Sequence, residues 1–117
     1  MDENSTFGEL KSAIRDFVHA RNWEQFHTPK NLAMSITIEA AELMEHFQWL
    51  TPQESTDILA NPQELAEIAD ELADVLIYCL SFANSTGIDI SGAITRKMER
   101  NEYRFPPQAD LGRKHHV

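Results

Sequence analysis

The sequence predicts an all-α domain, four-helix-bundle-like, assembled as a homo-oligomer. Three observations lead there. Only four glycines occur in 117 residues, and no Asn-Gly or Asp-Gly pair is present to turn a hairpin. No segment alternates apolar and polar residues as a half-buried strand does; apolar residues recur instead at helical spacing. Finally, a Thr/Asn-Pro-Gln-Glu tetrad occurs twice, at Thr51 and at Asn61, which is a helix-start signal. A chain of this length holds one domain, residues 1–117 with an ordered core over about 5–106, and can bury roughly two-thirds of its unfolded surface. The lone cysteine, Cys79, cannot form an internal disulfide.

The elements follow in order. Ser5 or Thr6 caps a first helix bearing Phe7, Leu10, Ile14, Phe17 and Val18, which runs to about Asn22. Residues 22–30, with Pro29, form a connector. A second helix fits Asn31 to about Trp49, with Leu32, Ile36, Leu43 and Phe47 on its apolar side. The Thr51 tetrad opens a short helix. The Asn61 tetrad opens a long one from about Pro62 to Thr86, stopped by Gly87. A last helix is capped by Asp89 or Ser91 and ends near Arg104, before Pro106-Pro107; the tail to Val117 is expected to be loose. The long helix carries Ile77, Leu80 and Phe82 beyond its main apolar stripe, more apolar surface than its partners would cover, which favours self-association.

Charge narrows the function. The chain has 10 Lys plus Arg against 19 Asp plus Glu, a formal net charge of −9. Between Glu39 and Asp74 lie ten acids and neither Lys nor Arg. That excludes the basic stripe a nucleic-acid polymer or an anionic membrane surface needs. No stretch approaches the roughly 18 apolar residues of a membrane span. The acidic start, MDENSTFGEL, lacks the basic and apolar regions of a signal peptide, so a cytoplasmic protein is expected.

Within the acidic segment, Glu39 and Glu42 stand at i and i+3 on one helix face, and Glu71 and Asp74 repeat that spacing on the long helix. If the two helices pack antiparallel, four carboxylates converge. Ser35, Glu39, Glu42, His46 and Trp49 form one stripe by a 100° count; Glu67, Glu71, Asp74 and Tyr78 form another. Oxygen donors without Cys suit a hard cation, Mg²⁺ or Mn²⁺, and magnesium commonly shares its shell with phosphate oxygens. The bland alternative is a solvated acidic face, since E-x-x-E is common in helices. Two such pairs, with no neighbouring bases and with aromatics on the same stripes, tilt the balance. Glu67, one turn before Glu71, is a candidate for orienting water or a second ion.

Other residues have double readings. Trp23 and Trp49 are core or interface residues in most proteins. Yet seven helical residues from Glu42 to Trp49 span about 10 Å, the separation between a nucleotide's base and its outer phosphates. Lys97, Asn101 and Arg104 share a face of the last helix, either as surface groups or as a phosphate clamp. Glu24 and His27 have the E-x-x-H spacing of a di-iron bundle, but no second such pair exists. Cys79 reads as a small core residue rather than a nucleophile.

These motifs together resemble the MazG-like all-α nucleoside triphosphate pyrophosphohydrolases, and within them the dCTP pyrophosphatase branch. The likeness runs from Arg21-Asn22-Trp23-Glu24-Gln25-Phe26-His27 and Pro29-Lys30-Asn31-Leu32 through Glu39-Ala40-Ala41-Glu42-Leu43 and Phe47-Gln48-Trp49. It continues over Asp70-Glu71-Leu72-Ala73-Asp74-Val75-Leu76-Ile77-Tyr78, Lys97-Met98-Glu99-Arg100-Asn101 and Tyr103-Arg104-Phe105-Pro106. The resemblance implies a helical homodimer or homotetramer that splits a nucleotide between its α and β phosphates. It implies Mg²⁺ on the catalytic carboxylates Glu39, Glu42, Glu71 and Asp74. It also implies substrate contacts from Trp23, His27, Trp49, Tyr78, Lys97 and Asn101. Two positions depart: Ile38 precedes the first carboxylate where the broader group often has Glu, and Ile14 stands where relatives can carry a polar base contact. Three functions stay open at this point: this hydrolase, a non-catalytic oligomerisation module, and a phosphohydrolase attacking a terminal phosphate.

Overall fold

A computed structural model describes residues 1–107, and among them every regular element is helical. The α-helices are α1 (Phe7–Ala20), α2 (Pro29–Glu45), α3 (Pro52–Asp57), α4 (Pro62–Thr86) and α5 (Ile90–Arg104). Single 3-10 turns cover Glu24–Phe26 and Ile58–Ala60. The chain divides into two compact units, Met1–Gly87 and a second that starts at Ile88 and carries α5. None of the helices is long and apolar enough to cross a membrane.

Local chemistry sets most boundaries. Thr6 accepts a hydrogen bond from the Glu9 amide and starts α1. Thr51 and Glu54 form the reciprocal capping box that the tetrad predicts, and Pro52 takes the first helical position of α3. Asn61 Oδ1 accepts from the amides of Gln63 and Glu64 at 3.0 and 3.2 Å and starts α4. Gly87 ends α4 at φ 74°, the left-handed conformation that glycine enters without strain. Asp89 flanks the start of α5 without a side-chain capping bond. The expected loose tail lies largely outside the described residues.

Two expected boundaries need correction. The second helix begins at Pro29 rather than Asn31, because Thr28 provides the cap and Asn31 sends its side chain back to the Phe26 carbonyl. It ends at Glu45, not at Trp49. His46, Phe47 and Leu50 donate to carbonyls three residues back, so the chain tightens into turns before Thr51-Pro52. Residues 46–49 thus lie in turns beyond α2 rather than in its helix.

In the first unit α4 is the central element, packed by α2 and by α1. Helix α2 runs antiparallel to it. His27, just before α2, accepts a hydrogen bond on its carbonyl from Ser85 Oγ near the end of α4, while His46, just past α2, lies by Glu64 and Glu67 near the start of α4. Helix α1 is tied to α4 by Arg15 Nη2 donating to Asn84 Oδ1 at 2.9 Å and by Asn84 Nδ2 donating to the Lys11 carbonyl at 3.0 Å. Among the described residues the buried apolar side chains are Val18, Leu32, Leu80 and Ala83. Leu80, expected on an uncovered face, is thus part of the core, whereas Ile77 stays partly exposed.

Candidate active site

The antiparallel register of α2 and α4 has one direct consequence. Carboxylate oxygens of Glu39, Glu42 and Glu71 all lie within 4.8 Å of one another. Three like charges so close would repel, and the structure records the strain. Glu39 Oε2 and Glu71 Oε2 are shielded from solvent and have no hydrogen-bond partner. The Glu39 carboxyl is held above its ordinary value of 4.5, first by burial and then by hydrogen bonding and repulsion with Glu42, with Asp74 and Glu71 adding to it. Glu71 is raised in the same way, by burial, then Glu42, then Asp74, while His46 opposes the shift. A group of acids with orphaned oxygens and raised proton affinity has the donor chemistry that a hard divalent cation satisfies.

Asp74 connects this cluster to a second feature. A cavity of about 410 Å³ opens between α1, the connector and α4. Ile14, Phe17 and Val18 come from α1, Trp23 and His27 from the connector, and Asp74, Ile77, Tyr78 and Ser81 from α4. The aromatic walls are braced. Phe17 meets Trp23 edge to face at 5.7 Å between centroids, and Trp23 lies 6.4 Å from the His27 ring. Arg21 stacks its guanidinium 3.6 Å over Phe17 and donates to the Phe17 carbonyl. Asn22, at φ 54°, makes the turn that brings Trp23 back against α1; asparagine tolerates that left-handed conformation better than most residues.

A second cavity of about 450 Å³ adjoins the first, sharing Ile14, Val18, His27 and Ser81 and adding Arg15, Asp16, His19, Glu24, Asn84 and Ser85. On its wall His19 Nδ1 and Glu24 Oε2 are 2.8 Å apart. This contact raises the His19 pKa and lowers that of Glu24, mainly through the shared hydrogen bond.

Of the residues singled out from sequence, Glu39, Glu42, Glu71, Asp74, Trp23, His27 and Tyr78 thus gather at one end-to-end site. Trp49 does not join them: it is 86% exposed and lies in the turns beyond α2. Glu67 groups with His46 and Glu64 instead of with the main carboxylates. Lys97 and Asn101 lie on α5, in the second unit. Phe17 and Ser81 were not singled out as site residues. For Ser81 the signal was present: the stripe of Glu67, Glu71, Asp74 and Tyr78 continues to it at the same three-and-four spacing.

Residues 34–115 match the MazG-like family. The chain belongs to the MazG-like family. It is 36% identical over 107 residues to rat (Rattus norvegicus) dCTP pyrophosphatase 1, an alignment covering 92% of this chain and 63% of the relative. Against human (Homo sapiens) dCTP pyrophosphatase 1 it is 38% identical over 101 residues, 86% of this chain and 59% of the relative. The chain therefore spans about 60% of the length of these curated relatives. A crystal structure of a pyrophosphatase from Archaeoglobus fulgidus superposes with a TM-score of 0.79 at 44% identity, covering 86% of this chain and 92% of that one.

Proposed function

We propose that this MazG-like chain hydrolyses deoxynucleoside triphosphates to the monophosphate and pyrophosphate, with dCTP and related pyrimidine nucleotides leading. The observation that carries the reading is Asp74, which lines the aromatic cavity and also presses its charge on Glu39 and Glu71. A planar base on one side and an acidic cluster on the other are the two ends of a nucleotide site. The archaeal pyrophosphatase supports the reaction class, and the relatives named dCTP pyrophosphatase 1 support both the reaction and the cytosine preference.

Glu39, Glu42, Glu71 and Asp74 would hold Mg²⁺, with Mn²⁺ able to substitute. When bound, such an ion supplies Lewis acidity toward phosphate oxygens and lowers the pKa of a water. The chain's own contribution is positioning. Trp23, Tyr78 and His27 offer faces and edges on which a base stacks, and Ile14, Phe17 and Val18 exclude water around it. A base seated there directs its sugar-linked phosphate toward Asp74 first. That phosphate is the α phosphate, which favours cleavage between α and β over loss of the terminal group. A bound cation would offset the burial and mutual repulsion that raise the proton affinity of Glu39 and Glu71. Lys97 and Asn101 are carried as phosphate or sugar contacts by the family resemblance, and the free thiol of Cys79 suits a reducing, cytoplasmic setting.

Incubation with each dNTP and Mg²⁺ tests the proposal. Pyrophosphate is the expected product; orthophosphate would indicate terminal attack, and neither would indicate a non-catalytic helical module. Glu42→Gln and Asp74→Asn should each lower kcat/KM by at least about a hundredfold, in line with the loss of a principal electrostatic group, while circular dichroism stays helical. Near-normal turnover by either variant at saturating Mg²⁺ would sink the assignment.

A further inference from the structure

Ser81 is the most deeply buried polar side chain among the described residues, 5% exposed, and its hydroxyl has no hydrogen-bond partner. Neighbouring hydroxyls behave differently. Thr37 and Thr86 fold back on carbonyls four residues earlier at 3.0 and 2.8 Å, and Ser85 reaches the His27 carbonyl at 3.0 Å. A helical serine can reach the carbonyl four residues back by adopting a suitable rotamer. Ser81 forgoes that bond. Ser81 lines both cavities, with its hydroxyl oxygen shielded from solvent.

Position along α4 says what would meet it. Ser81 stands seven residues after Asp74, two helical turns and about 10 Å on the same face, with Tyr78 between them. That span is the reach of a pyrimidine nucleotide from its α phosphate to the far edge of its base. In a pyrimidine the ring atom opposite the glycosidic nitrogen is C4, which carries an amine in cytosine and a carbonyl in thymine or uracil. A hydroxyl can accept from the first or donate to the second. Ile14 and Val18, which line both cavities beside Ser81, are apolar, so the polar residues common to the two linings are Ser81 and His27.

We propose that Ser81 is a specificity-determining residue whose hydroxyl hydrogen-bonds the 4-substituent of a pyrimidine base. This rests on the nucleotide reading of the site given above. The free protein leaves the hydroxyl unbonded, and the base satisfies it on binding.

Steady-state kinetics with dCTP and with the 2-pyrimidinone deoxynucleoside triphosphate, which lacks the 4-amine, tests the assignment. The wild type should favour dCTP by about tenfold in KM, the effect of one hydrogen bond to a buried group. Ser81→Ala should bring the ratio near one, acting on KM rather than kcat. Thermal unfolding of the ligand-free proteins supplies a second readout. Removing an unsatisfied buried hydroxyl should leave Ser81→Ala at least as stable as the wild type, and a clearly lower Tm would show a structural partner and overturn the proposal. Equal discrimination by the wild type and Ser81→Ala would overturn it as well, while leaving the hydrolase reading intact. A wild type that splits neither nucleotide would bring down both.

Discussion

Glu39 and Glu71 each keep one carboxylate oxygen shielded from water and without a hydrogen-bond partner. Their pKa values are raised from 4.5 by burial and by neighbouring acids. A carboxyl that binds its proton more tightly in the folded state stabilises the fold below its unfolded value. That contribution is lost as pH rises from about 4.5 through the raised value. The metal-free protein should therefore lose stability over that interval, and Glu39→Gln should raise its Tm at neutral pH. Mg²⁺ should restore wild-type stability at neutral pH, by about 2.7 kcal/mol when the ion is at a hundred times its Kd. The gain should fade toward pH 4 and be much reduced in Glu39→Gln. Thermal scans with Mg²⁺ and with EDTA across pH 4–8 check this, and a Mg²⁺ effect independent of both pH and Glu39 would contradict it. These carboxylates were legible in the sequence because i, i+3 spacing on two helices depends only on helical geometry. The place of Ser81 on the α4 stripe was legible too, but its unsatisfied hydroxyl was not, because that is defined by what surrounds it, and α1 and the connector supply those surroundings.

At the scale of the element, α4 carries the site and its two ends hold it in register. Asn61 satisfies two amides at the start, and Gly87 turns the chain at φ 74° at the end. Asn61→Ala should cost about 1 kcal/mol for the lost cap. Gly87→Ala should cost about another 1 kcal/mol; nothing lies within 4 Å of the added methyl group, so the penalty is backbone strain alone. The sites are far apart, so the double variant should lose about 2 kcal/mol by denaturant titration. An unchanged midpoint in Asn61→Ala would mean the cap adds nothing. The limits of α4 were readable because both signals are local: Asn-Pro at one end and glycine at the other. The end of α2 was not. Nothing between Glu45 and Trp49 breaks a helix; the tightening precedes Thr51-Pro52, and a periodicity count carried the helix on through those residues.

For the molecule as a whole, the buried apolar set of Val18, Leu32, Leu80 and Ala83 is small, and much apolar surface stays open. Leu72 and Leu76 on α4 are 48% and 49% exposed, and Met34 and Ile38 on α2 are exposed to a similar degree. Both pairs are spaced at i and i+4, so each makes a short stripe on its helix. Fully burying such a side chain is worth about 1.5–3 kcal/mol, and about half of that is still to be gained at each position. Four side chains per protomer then contribute about 4 kcal/mol, or about 8 kcal/mol per pair. Association itself costs about 4–15 kcal/mol, so these stripes alone would barely hold a dimer. A durable assembly must also cover Leu65, which is 46% exposed on α4. The chain is accordingly expected to form a dimer or tetramer at micromolar concentration, with a Tm that falls on dilution. Leu72→Lys combined with Leu76→Lys should reduce the mass seen by light scattering to that of one chain while leaving the helical signal in place. A wild type that stays monomeric at micromolar concentration, with a Tm independent of dilution, would show that these stripes face solvent in the working protein.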